Sequence, residues 1–433
     1  MSSTTAETTG ALSEFAAERV QSHIEAFASV CEPASGPGIT RLGYSALERK
    51  AHEIFQSYMA GLGLEVSTDA AGNSIAELPG QDPSLPAIGT GSHLDSVPNG
   101  GAFDGIAGVV AAMEVARTLS TASQPPRHPI RFVAFAAEEG ARFGQACTGS
   151  RIISGLTKAR DLPALLDQDG ISVAQAMAAL GIDPLAVEKA QWNPDDWAGF
   201  IELHIEQGSV LTDAGMPIGV VDLISGSTRI KIEIKGRASH TGGTPMHLRA
   251  DALAAASEIV LAAESLANDP GHHGTRITVG KMDVFPGSIT TIPGECQLHI
   301  DVRDTDPARQ RVSTSELISR AYDIASSRKT EINVEILADA SPVILPIAIR
   351  NAITTSAASQ GIEYRVMPSG ASHDTQMINH VCPSGMIFVP SQNHGVSHSP
   401  DELTTYSDLA VGIDLLTVSL RELDSSLNTQ NSH

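Results

Sequence analysis

Residues 86–120 read "PAIGTGSHLDSVPNGGAFDGIAGVVAAMEVARTLS", and residues 130–139 read "IRFVAFAAEE". The first stretch contains a short apolar run, a glycine-rich loop and a longer segment with helical spacing of apolar residues, and the second is another apolar run. Strand, loop, helix and strand in this order are typical of a β-α-β unit. We therefore predict an α/β fold with a mixed, largely parallel sheet and helices on both faces.

The chain is predicted to contain two domains, because 433 residues exceed the size at which one hydrophobic core usually keeps growing. From residue 227 the stretch "STRIKIEIKG" alternates apolar and polar residues, as a strand with one solvated face does. The segments that follow predict a helix, two strands, a helix and a strand. We expect a smaller α+β two-layer sandwich over residues 223–338, inserted into a larger domain of residues 1–222 and 339–433.

The composition argues against several classes of partner. A net charge of -22, from 28 basic and 50 acidic residues, disfavours nucleic acid and an anionic membrane surface. No apolar run approaches the ~18 residues of a membrane span, and the N-terminus "MSSTTAETTG" has neither a basic start nor an apolar core. The four cysteines are spread singly, which favours neither disulfides nor a thiolate zinc site. We expect a cytoplasmic protein that acts on a small molecule.

The glycine-rich loop contains three side chains that could bind or support a metal ion, His93, Asp95 and Asp104. His93 and Asp95 are two residues apart, so on an extended backbone both leave the same face, where one can bind a cation while the other orients it. An ordinary polar strand end remains an alternative for this pair. Asp104 comes just before a predicted helix and could equally be its N-cap.

Two adjacent glutamates, Glu138 and Glu139, follow the second apolar run. Like charges at a strand end repel each other unless a cation is near. With a metal present, one carboxylate can be a ligand while its neighbour takes a proton from water as general base. A solvated acidic turn is the alternative interpretation of this motif.

Two histidines lie in or after other predicted strands. His204 lies in "IELHIEQG" (201–208), with Glu202 and Glu206 two residues to either side, and His398 lies in "SQNHGVSHSPDE" (391–402). Ligands in parallel sheets gather beyond the carboxyl ends of the strands. Nitrogen and oxygen donors without thiolates suit zinc, manganese, cobalt or nickel. The predicted metal ligands are His93, Asp104, Glu139, His204 and His398.

These motifs resemble those of the metal-dependent amidohydrolases of the M20 peptidase superfamily, and in particular its amidase (hydantoinase/carbamoylase) branch. That branch includes N-carbamoyl-L-amino acid amidohydrolases, allantoate amidohydrolases and β-ureidopropionases. The resemblance rests on motifs in the family's order: "GSHLDSVPNGGAFDG", "EEGARFG", "ELHIEQG", "HTGGTPMHLRADAL", "DVRD", "SGASHDTQM" and "VSHSPDE". Of these, "ELHIEQG" separates the branch from ordinary M20 peptidases.

The resemblance implies a binuclear site with two divalent metal ions per subunit. His93 and His204 are expected to hold one ion, and Glu139 and His398 the other. Asp104 is expected to bridge the two ions.

Roles for other residues also follow from the resemblance. Glu138 is expected to be the general base, and Asp95 to orient His93. The smaller domain is expected to form a homodimer and to close over the site, where His240 would stabilise the oxyanion in the partner's site. Gln207 and Arg303 would bind substrate, with Arg303 clamping its carboxylate.

Each of the two lid residues has a simpler alternative. Arg303 could form a structural ion pair with Asp301 or Asp304, and His240 could be an ordinary loop histidine.

The chain departs from the family pattern at two positions. Thr290 of "GSITTIPG" stands where the family commonly has an asparagine that binds the substrate carboxylate or the oxyanion, and Ser372 replaces a usual glycine. A threonine donates one hydrogen bond through a shorter arm, so substrate recognition could differ. The backbone near Gly370 and Ala371 is expected to contact the same carboxylate.

The predicted function is therefore hydrolysis of a linear amide or carbamoyl C–N bond, other than a peptide bond, in a small carboxylated substrate. An N-carbamoyl-L-amino acid is the first choice, giving the amino acid, CO2 and NH3. Alternatives are an allantoate amidohydrolase or β-ureidopropionase, an M20-type dipeptidase or N-acyl amino acid hydrolase, and a non-catalytic metal-stabilised binding protein.

Overall fold

The computed structural model describes residues 17–33 and 36–430. The chain divides into two compact units. The first ends at Asp222, resumes over Leu345–Ser369 and continues from His373, and the second comprises Leu223–Ile344 and Gly370–Ser372. The second unit extends beyond the predicted limit of residue 338 because Val343 and Ile344 pair with Ile224 and Leu223, at the start of the same unit.

In chain order, the strands are β1 (Glu65–Thr68), β2 (Ser74–Leu78), β3 (Ala87–His93), β4 (Ile130–Phe135), β5 (Trp197–Ile205), β6 (Ile218–Ile224), β7 (Gly226–Lys235), β8 (Ser239–His240), β9 (Arg276–Phe285), β10 (Thr291–Ile292), β11 (Glu295–Asp304), β12 (Glu331–Ala340), β13 (Val343–Ile344), β14 (Tyr364–Ser369) and β15 (Ser384–Val389).

The helices are α1 (residues 17–28), α2 (Ala46–Gly61), α3 (Ile106–Ser120), α4 (Thr148–Ile153), α5 (Val173–Ala179), α6 (Val210–Ala214), α7 (Ala252–Ala267), α8 (Pro307–Ser327), α9 (Ile347–Gln360), α10 (Asp374–Ile378) and α11 (Tyr406–Gln430). The helical spacing of apolar residues over positions 12–30 predicts a helix there, and the part of it before residue 17 lies outside the described residues. Within the described residues, no helix combines the length and the apolar composition needed to cross a bilayer.

The first unit is built on a mixed sheet with the strand order β1-β2-β4-β3-β5-β15-β6. The central strands β4, β3, β5 and β15 are parallel to one another, whereas β2 and β6 run antiparallel on either side. The α/β fold with a largely parallel sheet, predicted from the β-α-β unit, is confirmed.

Helices cover both faces of this sheet, because alternate residues of one strand enter different cores. Phe132 and Ala134 of β4 pack in a core with α2, α3, α9 and α11, whereas Val133 and Phe135 pack in a second core with α4 and α5. Both faces of β4 are therefore buried, which explains its nearly continuous apolar sequence.

Helix α3 packs directly against the sheet. A Cβ placed on Gly108 would collide with the backbone oxygen of Leu203 and with the side chain of Ser92. The glycine in "GIAGVV" thus permits a close approach that a larger residue would prevent. It brings the loop before α3 next to the end of β5, where His204 lies.

The second unit is a two-layer α+β sandwich. Its antiparallel sheet has the order β12-β7-β11-β9, and α7 and α8 pack on it through one core. On β11 the even-numbered residues from Cys296 to Asp304 are buried and the odd-numbered ones are half-buried. The sequence predicted such an alternation for residues 227–236, and in β7 Ile230, Ile232 and Ile234 are buried while the residues between them are half-buried. Strands β8 and β10 form a separate antiparallel pair.

Candidate metal centre

The predicted ligands come together at the carboxyl edge of the parallel strands. His93 is the last residue of β3, His204 lies at the end of β5, Glu139 follows β4, and His398 lies in the loop after β15. Because parallel strands end at the same edge, residues spread along the chain become neighbours there.

Asp104 lies at the centre of this cluster. Its Oδ1 is 3.4 Å from His93 Nε2 and 3.2 Å from His204 Nε2. Its Oδ2 is 3.3 Å from His398 Nε2, which in turn lies 3.3 Å from Glu139 Oε2. The donors therefore form two groups, His93 with His204 and Glu139 with His398, and Asp104 belongs to both.

The N-cap alternative for Asp104 is wrong. The residue that caps α3 is Gly105, which has a φ of +67°, and no described side chain caps this helix end. The conformation of Gly105 turns the chain sharply between Asp104 and the helix, so the carboxylate points at the histidines rather than along the helix.

The donor set fits a divalent cation. Glu139 Oε1 is buried without a hydrogen-bond partner among the described residues, although buried polar atoms are normally paired. Burial, reinforced by the nearby Asp104 charge, raises the pKa of Glu139 well above its usual value. Partial burial acts against the charged form of His398, whose side chain is 50% exposed, but Asp104 and Glu139 outweigh it and raise the pKa of this imidazole to about 10. A bound cation would replace the protons that these groups otherwise hold.

Glu138 lies beside the first group of donors. Its side chain is 8% exposed, and its Oε2 is 3.9 Å from His93 Nε2. The thiol of Cys147 donates a hydrogen bond of 2.9 Å to the other oxygen, Oε1. Burial raises the pKa of Glu138, whereas the His93 charge lowers it. Because both glutamate side chains are buried, the solvated acidic turn is wrong as an interpretation of this motif.

Asp95 contacts both His93 and the backbone of Glu138 and Glu139. Its Oδ1 lies 3.4 Å from His93 Nδ1, whose hydrogen bond goes to the backbone oxygen of Asp95 at 3.2 Å. The carboxylate also accepts the backbone N–H groups of Glu138 and Glu139, at 2.9 and 3.1 Å. Besides its predicted place next to His93, Asp95 thus holds the backbone of the two glutamates.

Sequence reasoning missed two other buried carboxylates that support this loop edge. Glu48 of α2 accepts the backbone N–H of Ala137, the residue before Glu138. Glu402 accepts the backbone N–H groups of Phe103 and Asp104. Glu48 follows Ser45 by three residues, a spacing typical of a helix cap. Because this local role explains Glu48, the sequence does not indicate that its carboxylate contacts a distant loop. Glu402 lies in the motif "VSHSPDE", and its place in this motif could have indicated that it supports the site.

The two carboxylates that flank His204 in the sequence, Glu202 and Glu206, have different hydrogen-bond partners in the structure. Glu202 accepts hydrogen bonds from Ser92 Oγ and from the backbone and hydroxyl of Thr375, although its carboxylate remains close to His204 and His373. Glu206 instead accepts the backbone N–H groups that begin α6. The carboxylate of Glu206 is therefore bound to the start of α6 and does not support His204.

Gln207 was predicted to bind substrate. In the structure its side-chain amide donates a hydrogen bond of 2.7 Å to Asp104 Oδ2 and one of 3.2 Å to Ser397 Oγ. Its backbone has a φ of +57°, uncommon for a residue with a side chain. The amide therefore lies beside the second donor group, next to the Asp104 oxygen that faces His398.

In the second unit, His240 has a defined ring orientation. Its Nδ1 accepts the backbone N–H groups of Gly242 and Gly243, at 3.1 and 3.0 Å. A neutral imidazole that accepts through Nδ1 carries its proton on Nε2, and His240 is exposed. Thr290 precedes Thr291, the strand partner of His240, and its backbone oxygen accepts from Thr241 N. The two predicted substrate-facing residues are thus neighbours.

Arg303 forms an ion pair with Asp301, as the simpler interpretation of this residue predicted. Its Nε donates to Asp301 Oδ2 at 2.8 Å, whereas Asp304 is paired with Arg309. Arg303 also donates through Nη1 to the backbone oxygen of Gly370 at 3.3 Å. Sequence reasoning missed Arg276, which lies directly opposite Arg303 on β9. The predicted carboxylate-binding residues Arg303, Gly370 and Ala371 therefore belong to one unit, next to a second arginine.

A largely parallel α/β sheet whose carboxyl edge gathers histidines around a shared aspartate, with a buried glutamate beside them, defines a metal-binding hydrolase. The chain belongs to the peptidase family M20/M25/M40, whose family model matches residues 89–422. This result confirms the resemblance seen in the motifs.

Relatives within the family are similar along nearly the whole chain. The N-carbamoyl-L-amino-acid amidohydrolase of Paenarthrobacter aurescens is 40% identical, over 94% of this chain and 98% of that protein. The N-carbamoyl-L-amino acid amidohydrolase of Geobacillus stearothermophilus is 41% identical, over 92% and 96%. The crystal structure of a hydantoinase/carbamoylase family amidase from Burkholderia vietnamiensis matches with a TM-score of 0.88 at 29% identity, over 94% and 97%. The protein is an amidohydrolase.

Proposed function

We propose that this amidohydrolase is binuclear and that its substrate is an N-carbamoyl-L-amino acid, which it hydrolyses to the amino acid, CO2 and NH3. The observation that carries the binuclear proposal is the position of Asp104, which directs one carboxylate oxygen at each of two donor groups. The activities for which the two bacterial relatives are named support the carbamoyl substrate.

In this proposal His93 and His204 would hold one ion, Glu139 and His398 would hold the second, and Asp104 would offer one carboxylate oxygen to each group. When bound, two ions of zinc, manganese, cobalt or nickel polarise the scissile carbonyl and lower the pKa of water. The nitrogen and oxygen donors and the absence of cysteine from both groups support these metals.

Glu138 is the general base in the proposed reaction. It takes a proton from the attacking water and transfers it to the leaving nitrogen as the C–N bond breaks. Its burial beside His93 and the hydrogen bond from Cys147 support this role, because they hold one carboxylate oxygen and leave the other on the side of the donors.

The second unit supplies the residues that recognise substrate. His240 donates a hydrogen bond from its Nε2–H to the oxyanion of the tetrahedral intermediate, a role supported by the two backbone hydrogen bonds to Nδ1. Arg303 clamps the substrate carboxylate together with the backbone of Gly370 and Ala371. Thr290 and Gln207 contribute further substrate contacts. In a homodimer, His240 and Arg303 complete the site of the partner subunit.

A substrate screen tests this function. The protein loaded with Mn²⁺ is incubated with N-carbamoyl-L-amino acids, allantoate, 3-ureidopropionate, N-acetyl amino acids and dipeptides, and ammonia and free amine are measured in parallel. We expect both products from the carbamoyl amino acids. Turnover of dipeptides or N-acetyl amino acids alone would contradict the carbamoyl substrate, and preferred turnover of allantoate or 3-ureidopropionate would move the protein to another activity of the same branch. A protein that binds Mn²⁺ and hydrolyses none of them would be a binding protein.

A further inference from the structure

Glu402 is a buried carboxylate in the loop between β15 and α11, and only 5% of its surface is exposed. Its Oε1 accepts two consecutive backbone N–H groups, from Phe103 at 2.9 Å and from Asp104 at 3.0 Å. It therefore fixes the main chain of the residue whose side chain is shared by both donor groups.

The second oxygen of Glu402 holds the other side of the site. Ser397 Oγ donates a hydrogen bond of 2.6 Å to Glu402 Oε2, and the same hydroxyl lies 3.2 Å from Asp104 Oδ2. Ser397 directly precedes His398, which has a φ of +56°. A non-glycine residue keeps this unfavourable backbone conformation only when its surroundings enforce it. The hydrogen bond to Ser397 is one such restraint.

Gly101 provides the space that this arrangement needs. A Cβ at Gly101 would collide with the carboxylate of Glu402, including Oε1. The glycine in "NGGAFDG" thus allows the carboxylate to reach the backbone of the Asp104 loop, although the two segments are about 300 residues apart in sequence.

We infer that Glu402 is a positioning residue that sets Asp104 and His398 at the mutual distance required to hold metal. It spans the loops of both residues through one carboxylate and touches neither His398 nor the carboxylate of Asp104 by a hydrogen bond of its own. The inference rests on the proposed binuclear site, but it concerns metal affinity rather than the identity of the substrate.

The test compares three full-length variants by Zn²⁺ titration of the metal-free protein against a fluorescent chelator. Glu402→Ala removes all three hydrogen bonds, and we expect Zn²⁺ affinity to fall by about 10- to 100-fold, as for other residues that support metal ligands. Glu402→Gln keeps an oxygen for Phe103 N and Asp104 N and an amide for Ser397, so it should restore affinity to within about 3-fold of wild type.

Asp424→Ala is the matched control. Asp424 also accepts two consecutive backbone N–H groups, from Arg127 and His128, but it lies on α11 away from the donors. It should lower the melting temperature without changing Zn²⁺ affinity. Titrations are made well below the melting temperature, with folding checked by circular dichroism, so that loss of stability and loss of metal binding are separated.

Wild-type affinity in Glu402→Ala would overturn the inference, as would an equal loss in Glu402→Gln or in Asp424→Ala. These outcomes do not depend on the substrate screen. If no carbamoyl compound is hydrolysed but the affinity order of the variants holds, the proposed substrate fails and the positioning role stands.

Discussion

The imidazole of His93 lies against the backbone of Gly105, so that a Cβ at Gly105 would come within 2.5 Å of both Cε1 and Nδ1 of the ring. Gly105 also has a φ of +67°, which side chains disfavour. The contact places the predicted ligand at the end of β3 beside the residue that follows Asp104. The glycines of the loop are thus part of the geometry of the site.

Gly105→Ala is expected to displace His93. It adds the strain of a positive φ combined with a ψ of -46°, about 1–3 kcal/mol for a residue with a side chain, to a collision with the ring. The matched control is Gly215→Ala, because Gly215 has a φ of +65° and a Cβ added there would have no neighbour within 4 Å. Gly215 lies in the left-handed region (ψ of 28°), so thermal unfolding should show a smaller loss of stability in Gly215→Ala than in Gly105→Ala. Zn²⁺ titration should show weaker metal binding only in Gly105→Ala. Unchanged Zn²⁺ affinity in Gly105→Ala would contradict a role for this contact.

Glu138→Gln should abolish catalysis without removing metal. Loss of a general base reduces kcat by about 10²- to 10⁴-fold, whereas the donors of both groups remain. Glu139→Gln is the comparison, because it changes a predicted ligand and should lower the metal content. Metal content by mass spectrometry and kcat on a carbamoyl amino acid separate the two effects. An active Glu138→Gln variant would exclude Glu138 as the base.

His240→Ala tests the proposed homodimer. If His240 acts in the partner's site, mixing His240→Ala with Glu138→Gln and allowing subunit exchange creates one complete site per mixed dimer. Activity should then rise from nearly none to about a quarter of the wild-type value, since half of the dimers are mixed. A mixture that stays inactive, although mass spectrometry shows exchange, would mean that His240 acts within its own subunit or not at all.

Arg303→Lys distinguishes a substrate clamp from a structural ion pair. Lysine can keep the attraction to Asp301 but loses the two-point geometry that a guanidinium offers to a carboxylate. We expect KM for a carbamoyl amino acid to rise by about 10-fold or more with a small change in kcat. Arg309→Lys, at the paired Asp304, is the control and should leave KM unchanged. A lowered melting temperature with normal KM in Arg303→Lys would favour the ion pair alone.

His52 should make the fold sensitive to acid. Burial lowers the pKa of His52 well below its usual 6.5, and Arg49 and Arg41 lower it further. As the pH falls through about 6.5, the unfolded state therefore binds a proton at His52 before the folded state does. The stabilising contribution of the neutral histidine is present above this pH and is lost below it. The free energy of unfolding then falls by up to about 1.4 kcal/mol per pH unit. Denaturant unfolding at several pH values should show a smaller acid loss for His52→Gln than for wild type. His273→Gln, at an exposed histidine, is the control, and equal slopes in all three proteins would refute the prediction.

The sequence by itself determined the β-α-β start of the fold, the second sandwich and the residues that form the donor cluster. It could do so because strand and helix periodicities are local, and because polar residues after apolar strands meet at one edge of a parallel sheet. The motifs around His93, Glu139 and His398 were each ambiguous alone and became informative only together. Asp104 shows the limit, since an aspartate before a helix is more often a cap.

Only the tertiary structure decided how these residues are held. Glu48 and Glu402 support loops about 90 and 300 residues away in the sequence, and no local pattern reveals such a partner. The same holds for the thiol of Cys147 on Glu138 and for Arg276 opposite Arg303. The physical reason is that a buried carboxylate or thiol is retained where distant backbone groups and charges pair with it, and those partners become neighbours only when the sheet is assembled.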